Sequence, residues 1–121
     1  MQFVSTREKG EVKNPAGFRE AVFEGLAPDG GLYHPASTPD LSNFFSTLTP
    51  ESSFVEIAAG MTAALVGEEF SNADAEELCK EAFPFGPNLV QLQDSLYILE
   101  LFHGPSCAFK DFGASFLANV M

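Results

Sequence analysis

The sequence predicts an α+β fold, helices with short strands and a hairpin, and three observations carry that reading. Two polar-then-apolar helix openings, at Thr49-Pro50-Glu51 and at Ser71 with Asp74, each introduce a run with apolar residues at helical spacing. Two strand-like runs, residues 89–93 and 96–102, flank the two-residue turn Asp94-Ser95, the pattern of an antiparallel hairpin. The 121 residues are 45% hydrophobic with thirteen Phe, enough for one packed unit and too apolar for a disordered chain.

Taken in order, residues 2–6 (QFVST) mix Phe, Val and Thr and read as a short strand. Asn14-Pro15 reads as a helix start, with Asn14 as cap and Pro15 in the first turn. Phe18, Ala21 and Val22 then form one apolar face, and Gly25 is a natural stop. Pro28-Asp29-Gly30-Gly31 is a turn that leads into a short strand ending near Pro35.

From Thr49 a helix is expected whose buried side carries Phe54, Ile57, Ala58, Met61 and Leu65. Ser71 and Asp74 have the spacing of a capping box, opening a helix that buries Ala75, Leu78, Cys79 and Ala82. Pro84, Gly86 and Pro87 end it. In the hairpin, the second strand (96–102, LYILELF) reads as the more buried one. His103-Gly104-Pro105-Ser106 breaks that strand. A last helix begins around Cys107–Lys110, with Phe109, Phe112, Phe116 and Val120 on one face. The sequence stops at Met121 on this apolar face without a cap, so the chain is expected to be one piece of a longer protein. There are no repeats or low-complexity tracts.

The formal net charge is −11, from 17 acidic and 6 basic residues, which repels nucleic-acid phosphates and anionic lipid; neither is expected as a partner. Residues 1–10 have no apolar signal region, and no run approaches the ~18 apolar residues of a membrane span. Cys79 and Cys107 make neither a disulfide framework nor a metal site, and no metal is expected; two reduced thiols fit a soluble, cytoplasmic protein.

After residue 19 only two basic residues remain, Lys80 and Lys110. Lys110 falls in the stretch Leu99–Gly113 (LELFHGPSCAFKDFG), where a strand feeds a Gly-Pro turn that delivers the lysine to a helix start. A helix N-terminus disfavours a cation by about 0.3–1 kcal/mol, and Phe109 and Phe112 on either side would strip water from the amine. Both effects favour the neutral amine, the form that condenses with an aldehyde. Asp111 opposes them. The residues alone leave a plainer alternative open: Lys110 lays its stem along the phenylalanines and keeps its head in water. His103 reads first as a satisfied turn histidine and only second as a catalytic base, and Cys107 as a small filler rather than a nucleophile, since no base is visibly supplied for it.

The string Leu99–Asp111 resembles the segment around the cofactor lysine of the threonine synthase family, which reads HGPT, one variable residue, then AFKD. His103, Gly104, Pro105, Ala108, Phe109, Lys110 and Asp111 match; Ser106 keeps the hydroxyl of the usual Thr, and Cys107 holds the variable position. The likeness extends to Ser5-Thr6-Arg7, to GLAPDGGLYHP (Gly25–Pro35), to Ser53–Ala58 and to Ala82-Phe83, in order. It thus covers essentially the whole chain.

The resemblance implies an α/β enzyme of fold type II in its full length, with pyridoxal 5′-phosphate between two domains. This stretch would be the N-terminal region, divided into 1–88 as a helical α+β unit and 89–121 as the hairpin and the start of the lysine helix. Lys110 would be the catalytic residue, holding the cofactor as a Schiff base. Ser106, His103 and Asp111 would be candidate contacts to substrate or cofactor. The implied reaction turns O-phospho-L-homoserine and water into L-threonine and phosphate. The glycine-rich loop that cradles the cofactor phosphate in this family lies beyond residue 121, so the rest of the chain would be needed and the isolated piece inactive. Two other readings stay open: a related lyase that degrades phosphohomoserine to a keto acid, and a non-catalytic folding or interaction module.

Overall fold

A computed structural model of the chain describes residues 1–9 and 15–121. The elements run β1 (Phe3–Ser5), α1 (Phe18–Glu24), β2 (Tyr33–Pro35), α2 (Ser42–Thr47), α3 (Phe54–Val66), α4 (Asn72–Ala82), β3 (Asn88–Gln93), β4 (Leu96–Glu100) and α5 (Lys110–Val120). The architecture is α+β: two separate antiparallel strand pairs, β1 with β2 and β3 with β4, beside the helices.

The first strand pair is locked by side chains. Phe3 faces Pro35 and Ser5 faces Tyr33. Ser5 Oγ donates to Asp29 Oδ1 at 2.6 Å, and Arg7 Nη1 donates to the Asp29 carbonyl at 3.0 Å. Gly31 is obligatory in this arrangement, because a Cβ there would lie 2.0 Å from Ser5 Oγ. Two stretches that sit far apart in sequence, Ser5-Thr6-Arg7 and Pro28–Gly31, therefore make one joint.

Helix α1 begins later than the sequence suggests. Asn14, expected as its cap, lies outside the described residues, and Pro15 precedes the helix rather than entering it. Gly17 occupies the cap position without a side chain to offer. The job passes to Glu69, in the loop before α4, whose carboxylate accepts the Phe18 N–H and, at 3.0 Å, the Arg19 N–H. A carboxylate there meets both the free donors and the positive end of the helix dipole. Gly25 ends the helix, donating to the Ala21 carbonyl.

The centre of the molecule is the α3–α4 pair. Ala59, Thr62 and Val66 face Ala75, Leu78, Cys79 and Ala82, all buried, with Thr62 Oγ1 and Cys79 Sγ in hydrogen-bond contact at 3.4 Å. Small residues at these positions let the two helices approach closely, where dispersion contacts accumulate. The α4 start is as expected: Ser71 and Asp74 form a complete capping box. The α3 start is not. Thr49–Ser52 closes into its own turn, Ser52 N–H on the Thr49 carbonyl at 3.0 Å, and the helix opens at Ser53 with a second capping box to Glu56.

Helix α2 was not anticipated; its cap position is Leu41, and Phe44 seats its ring against Gly60 of α3. Helix α5 packs on the pair through an aromatic cluster. Phe112 meets Phe54 at 5.6 Å and Phe85 at 5.1 Å between ring centroids, and Phe116 stacks on Phe83 at 6.2 Å. Edge and offset contacts of this kind contribute about 0.5–1.5 kcal/mol beyond area burial. Ser115 Oγ adds a hydrogen bond to the Ala82 carbonyl.

The β3–β4 hairpin forms, with Leu89 facing Leu99, Val90 facing Ile98 and Ser95 in the turn at φ 63°, but its second strand ends at Glu100 rather than at the expected Phe102. The expected burial of its second strand is overturned. Tyr97 and Leu99 are more than half exposed, and Phe102 beyond them is 50% exposed. A strand apolar on both faces needs a layer on each, and among the described residues nothing covers this ribbon.

Candidate functional site

The segment between β4 and α5 places the residues singled out by sequence. His103 Nε2 lies 2.7 Å from Glu100 Oε2, and Asn88 Nδ2 donates to the same oxygen at 3.2 Å. The His103 contact, then the Asn88 bond, holds the Glu100 carboxyl below its ordinary range. Glu100 and Asn88 were not picked out as site residues in advance. A Glu three positions before a His is a legible spacing, whereas Asn88 reaches the pair only through strand register.

Past the turn, Asp111 is the organising group. It is buried, at 8% exposure, and its carboxylate accepts the Ser106 N–H at 2.8 Å and the Ser106 hydroxyl. The hydroxyl bond is the main cause that keeps the Asp111 carboxyl below its usual range. Gly104 leaves room for this: a Cβ on it would lie 2.5 Å from Asp111 Oδ2. Ser106, Asp111 and Gly104 thus meet, while His103 joins the strand side through Glu100.

Lys110 is the first residue of α5 and is exposed. Its amine has no hydrogen-bond or ion-pair partner among the described residues; the ion pairs found there involve Met1 with Glu68 and His103 with Glu100. The expected opposition from Asp111 takes no direct form, since that carboxylate is spent on Ser106. The expected phenylalanine wall is corrected as well. Phe109 precedes the helix and is 70% exposed, away from the face it was assigned, and Phe112 turns into the aromatic cluster. Cys107 is exposed, at φ 57°, and Cys79 is buried; both thiols are free.

Fold and site together define a class: an α+β region in which a locked turn delivers an unpartnered lysine to the first position of a helix. A family described as "Threonine synthase N terminus" matches residues 2–83. The chain belongs to the threonine synthase family and carries its N-terminal region. Threonine synthase of Haemophilus influenzae is 39% identical over 104 residues, covering 86% of this chain and 24% of its own length. That of Saccharomyces cerevisiae is 36% identical over 115 residues, covering 85% and 22%.

The crystal structure of pyridoxal-phosphate-bound threonine synthase from Brucella melitensis superposes with a TM-score of 0.85 at 38% identity, over 100% of this chain and 26% of that one. Threonine synthase from Escherichia coli gives 0.85 at 31% identity, over 98% and 27%. The chain spans about a quarter of the length of the curated relatives it matches.

Do the residues present fit pyridoxal phosphate? The covalent attachment fits, because Lys110 offers an amine with no partner among the described residues. The phosphate would need free backbone N–H groups. In the Asp29–Gly31 turn both glycine N–H groups are engaged, Gly30 on the Ala27 carbonyl at 2.7 Å and Gly31 on Asp29 Oδ1 at 2.8 Å. No group of three or more metal-ligating side chains occurs among the described residues, and no helix there is long and apolar enough to cross a membrane.

Proposed function

We propose that this region supplies the cofactor-bearing lysine of a cytoplasmic enzyme that forms L-threonine and phosphate from O-phospho-L-homoserine and water. The observation that carries the reading is Lys110, an amine with no partner among the described residues at the first position of α5, within a motif that matches the family's lysine segment. Residues 1–88 would serve as the supporting unit and 89–121 as the arm that presents the lysine; the Phe54–Phe83–Phe112–Phe116 cluster fixes that arm to the support.

Pyridoxal phosphate, when bound, supplies an electron sink that stabilises negative charge at the substrate carbons. The chain's own part is narrower. Lys110 would hold the cofactor covalently, and its amine, when free, would be placed to take the proton from the substrate Cα and return it. His103, Ser106 and Asp111 shape the approach to that amine. The phosphate cradle and the second wall of the site come from the rest of the protein, so the 121-residue piece forms no threonine alone.

The test uses the full-length holoenzyme. Borohydride reduction followed by peptide mapping should label Lys110, and product analysis should find threonine. Release of 2-oxobutyrate instead would replace synthesis with degradation of phosphohomoserine, and unlabelled Lys110 with retained activity would leave only a structural module.

A further inference from the structure

We propose that Asp111 is a positioning residue for Lys110, acting through the Gly104–Ser106 turn, and that Ser106 is its fixed internal partner rather than a contact to substrate. The inference rests on the reading of Lys110 as the cofactor lysine and adds how that lysine is aimed.

A buried carboxylate must have its oxygens satisfied, and Asp111, whose side chain leaves α5 in a different direction from that of Lys110, needs partners from elsewhere. Ser106 supplies them. One oxygen takes the Ser106 N–H at 2.8 Å and the other the Ser106 hydroxyl. The loop between is closed by Cys107 N–H on the Gly104 carbonyl at 3.1 Å and Asp111 N–H on the Ala108 carbonyl at 3.0 Å. Within it Cys107 sits at φ 57°, a conformation that a non-glycine residue keeps only where its surroundings impose it. Gly104 lets the turn lie directly on the carboxylate.

Two consequences follow. The path of the chain into α5 is set by Asp111, and with it the direction in which Lys110 leaves the helix. The amine also keeps no counter-ion within the loop, so it stays available to an aldehyde. Ser106 has its hydroxyl hydrogen committed to Asp111, which removes it as a donor to a ligand.

The experiment compares Ser106→Ala, Asp111→Asn, the double variant and Ser106→Thr in the full-length holoenzyme, with hydrogen exchange at the Ser106 amide measured in the apoprotein. If Asp111 positions Lys110, each single variant lowers kcat about 10- to 100-fold with KM within about twofold. The double variant is then no worse than the more severe single one. Ser106→Thr, which keeps the hydroxyl, retains activity, and Asp111→Asn speeds Ser106 amide exchange at least about tenfold.

Additive losses expressed in KM, or an unchanged Ser106 exchange rate, overturn the proposal. Should Asp111→Asn fail to fold, loss in Ser106→Ala with recovery in Ser106→Thr still supports it, and equal activity of the two overturns it. Borohydride labelling of another lysine in the wild type would refute the site reading separately, leaving the exchange result to judge the lock.

Discussion

The α3–α4 pair and the segment from β3 to Lys110 are built on opposite terms. The helix pair closes on itself: each helix opens with a full capping box, and its contact face is made of Ala, Cys, Thr, Val and Leu buried against each other. The hairpin and the turn after it are locally well bonded yet bare outside, with Leu89, Leu99 and Phe109 at 62%, 56% and 70% exposure. Stability resides in the first, and Lys110, the proposed reactive group, is held out by the second. Functional groups on a segment with little packing of its own need rigid local bonds, which is what Glu100–His103 and Ser106–Asp111 provide.

The sharpest way to separate the two regions is to remove the amine. Lys110→Ala in the full-length enzyme should cost about 10²–10⁴-fold in kcat, the usual range for a positioned proton-transfer group, and abolish borohydride labelling at residue 110. The melting temperature of the cofactor-free protein should hardly move, because Lys110 is exposed and has no partner among the described residues. A matching loss of stability would mean that the lysine belongs to the framework.

The helix pair should answer in the reverse sense. Ala75 is 0% exposed, so Ala75→Leu forces extra methylenes into the closed contact and should destabilise by about 1–3 kcal/mol in denaturant unfolding. Ser71→Ala removes the α4 cap and should cost about 1 kcal/mol. Leu99→Asn on the hairpin should stay within about 0.5 kcal/mol in the 121-residue chain, since its side chain is already more than half in water. A loss as large as that of Ala75→Leu would show that the ribbon is covered after all.

The same contrast decides what could be read from sequence. The α4 box was legible because Ser71 and Asp74 satisfy each other three residues apart, and the buried set Ala75, Leu78, Cys79 and Ala82 follows from helical period alone. The α3 opening was missed by a few residues because two competing local signals adjoin, and the Pro50 turn masks the Ser53–Glu56 box behind it. Helix α2 carries a signal of its own, Leu41, Phe44, Phe45 and Leu48 at helical spacing behind Asp40, which accepts the Ser42 N–H at 2.9 Å, but the helix is too short for that period to stand out, and Phe44 reaching α3 anchors it. The Glu69 cap on α1 joins groups about fifty residues apart, which no window could show. In the candidate site, the proposal of Lys110 comes from its motif and its place at a helix start, while the Ser106–Asp111 bonds depend on the backbone path through Cys107.

The smallest effect expected lies at Tyr33, where β2 meets the end of α1. Its hydroxyl donates to the Glu24 carboxylate, and that bond raises the Tyr33 pKa from 10.0 to about 12. The folded state therefore keeps the phenol proton at pH values where the unfolded chain has released it. The contribution is fully present below pH 10 and is lost as pH rises from 10 through about 12. Tyr33→Phe should leave the pH dependence near neutrality unaltered and flatten the alkaline decline across that window, measured by thermal unfolding. Because Glu24 is exposed and the pair is open to solvent, added salt should shrink the difference between the two proteins. No such response is expected at the α3–α4 contact, whose buried face carries no ionisable pair, so a salt-dependent alkaline loss that persists in Tyr33→Phe would place its origin elsewhere in the fold.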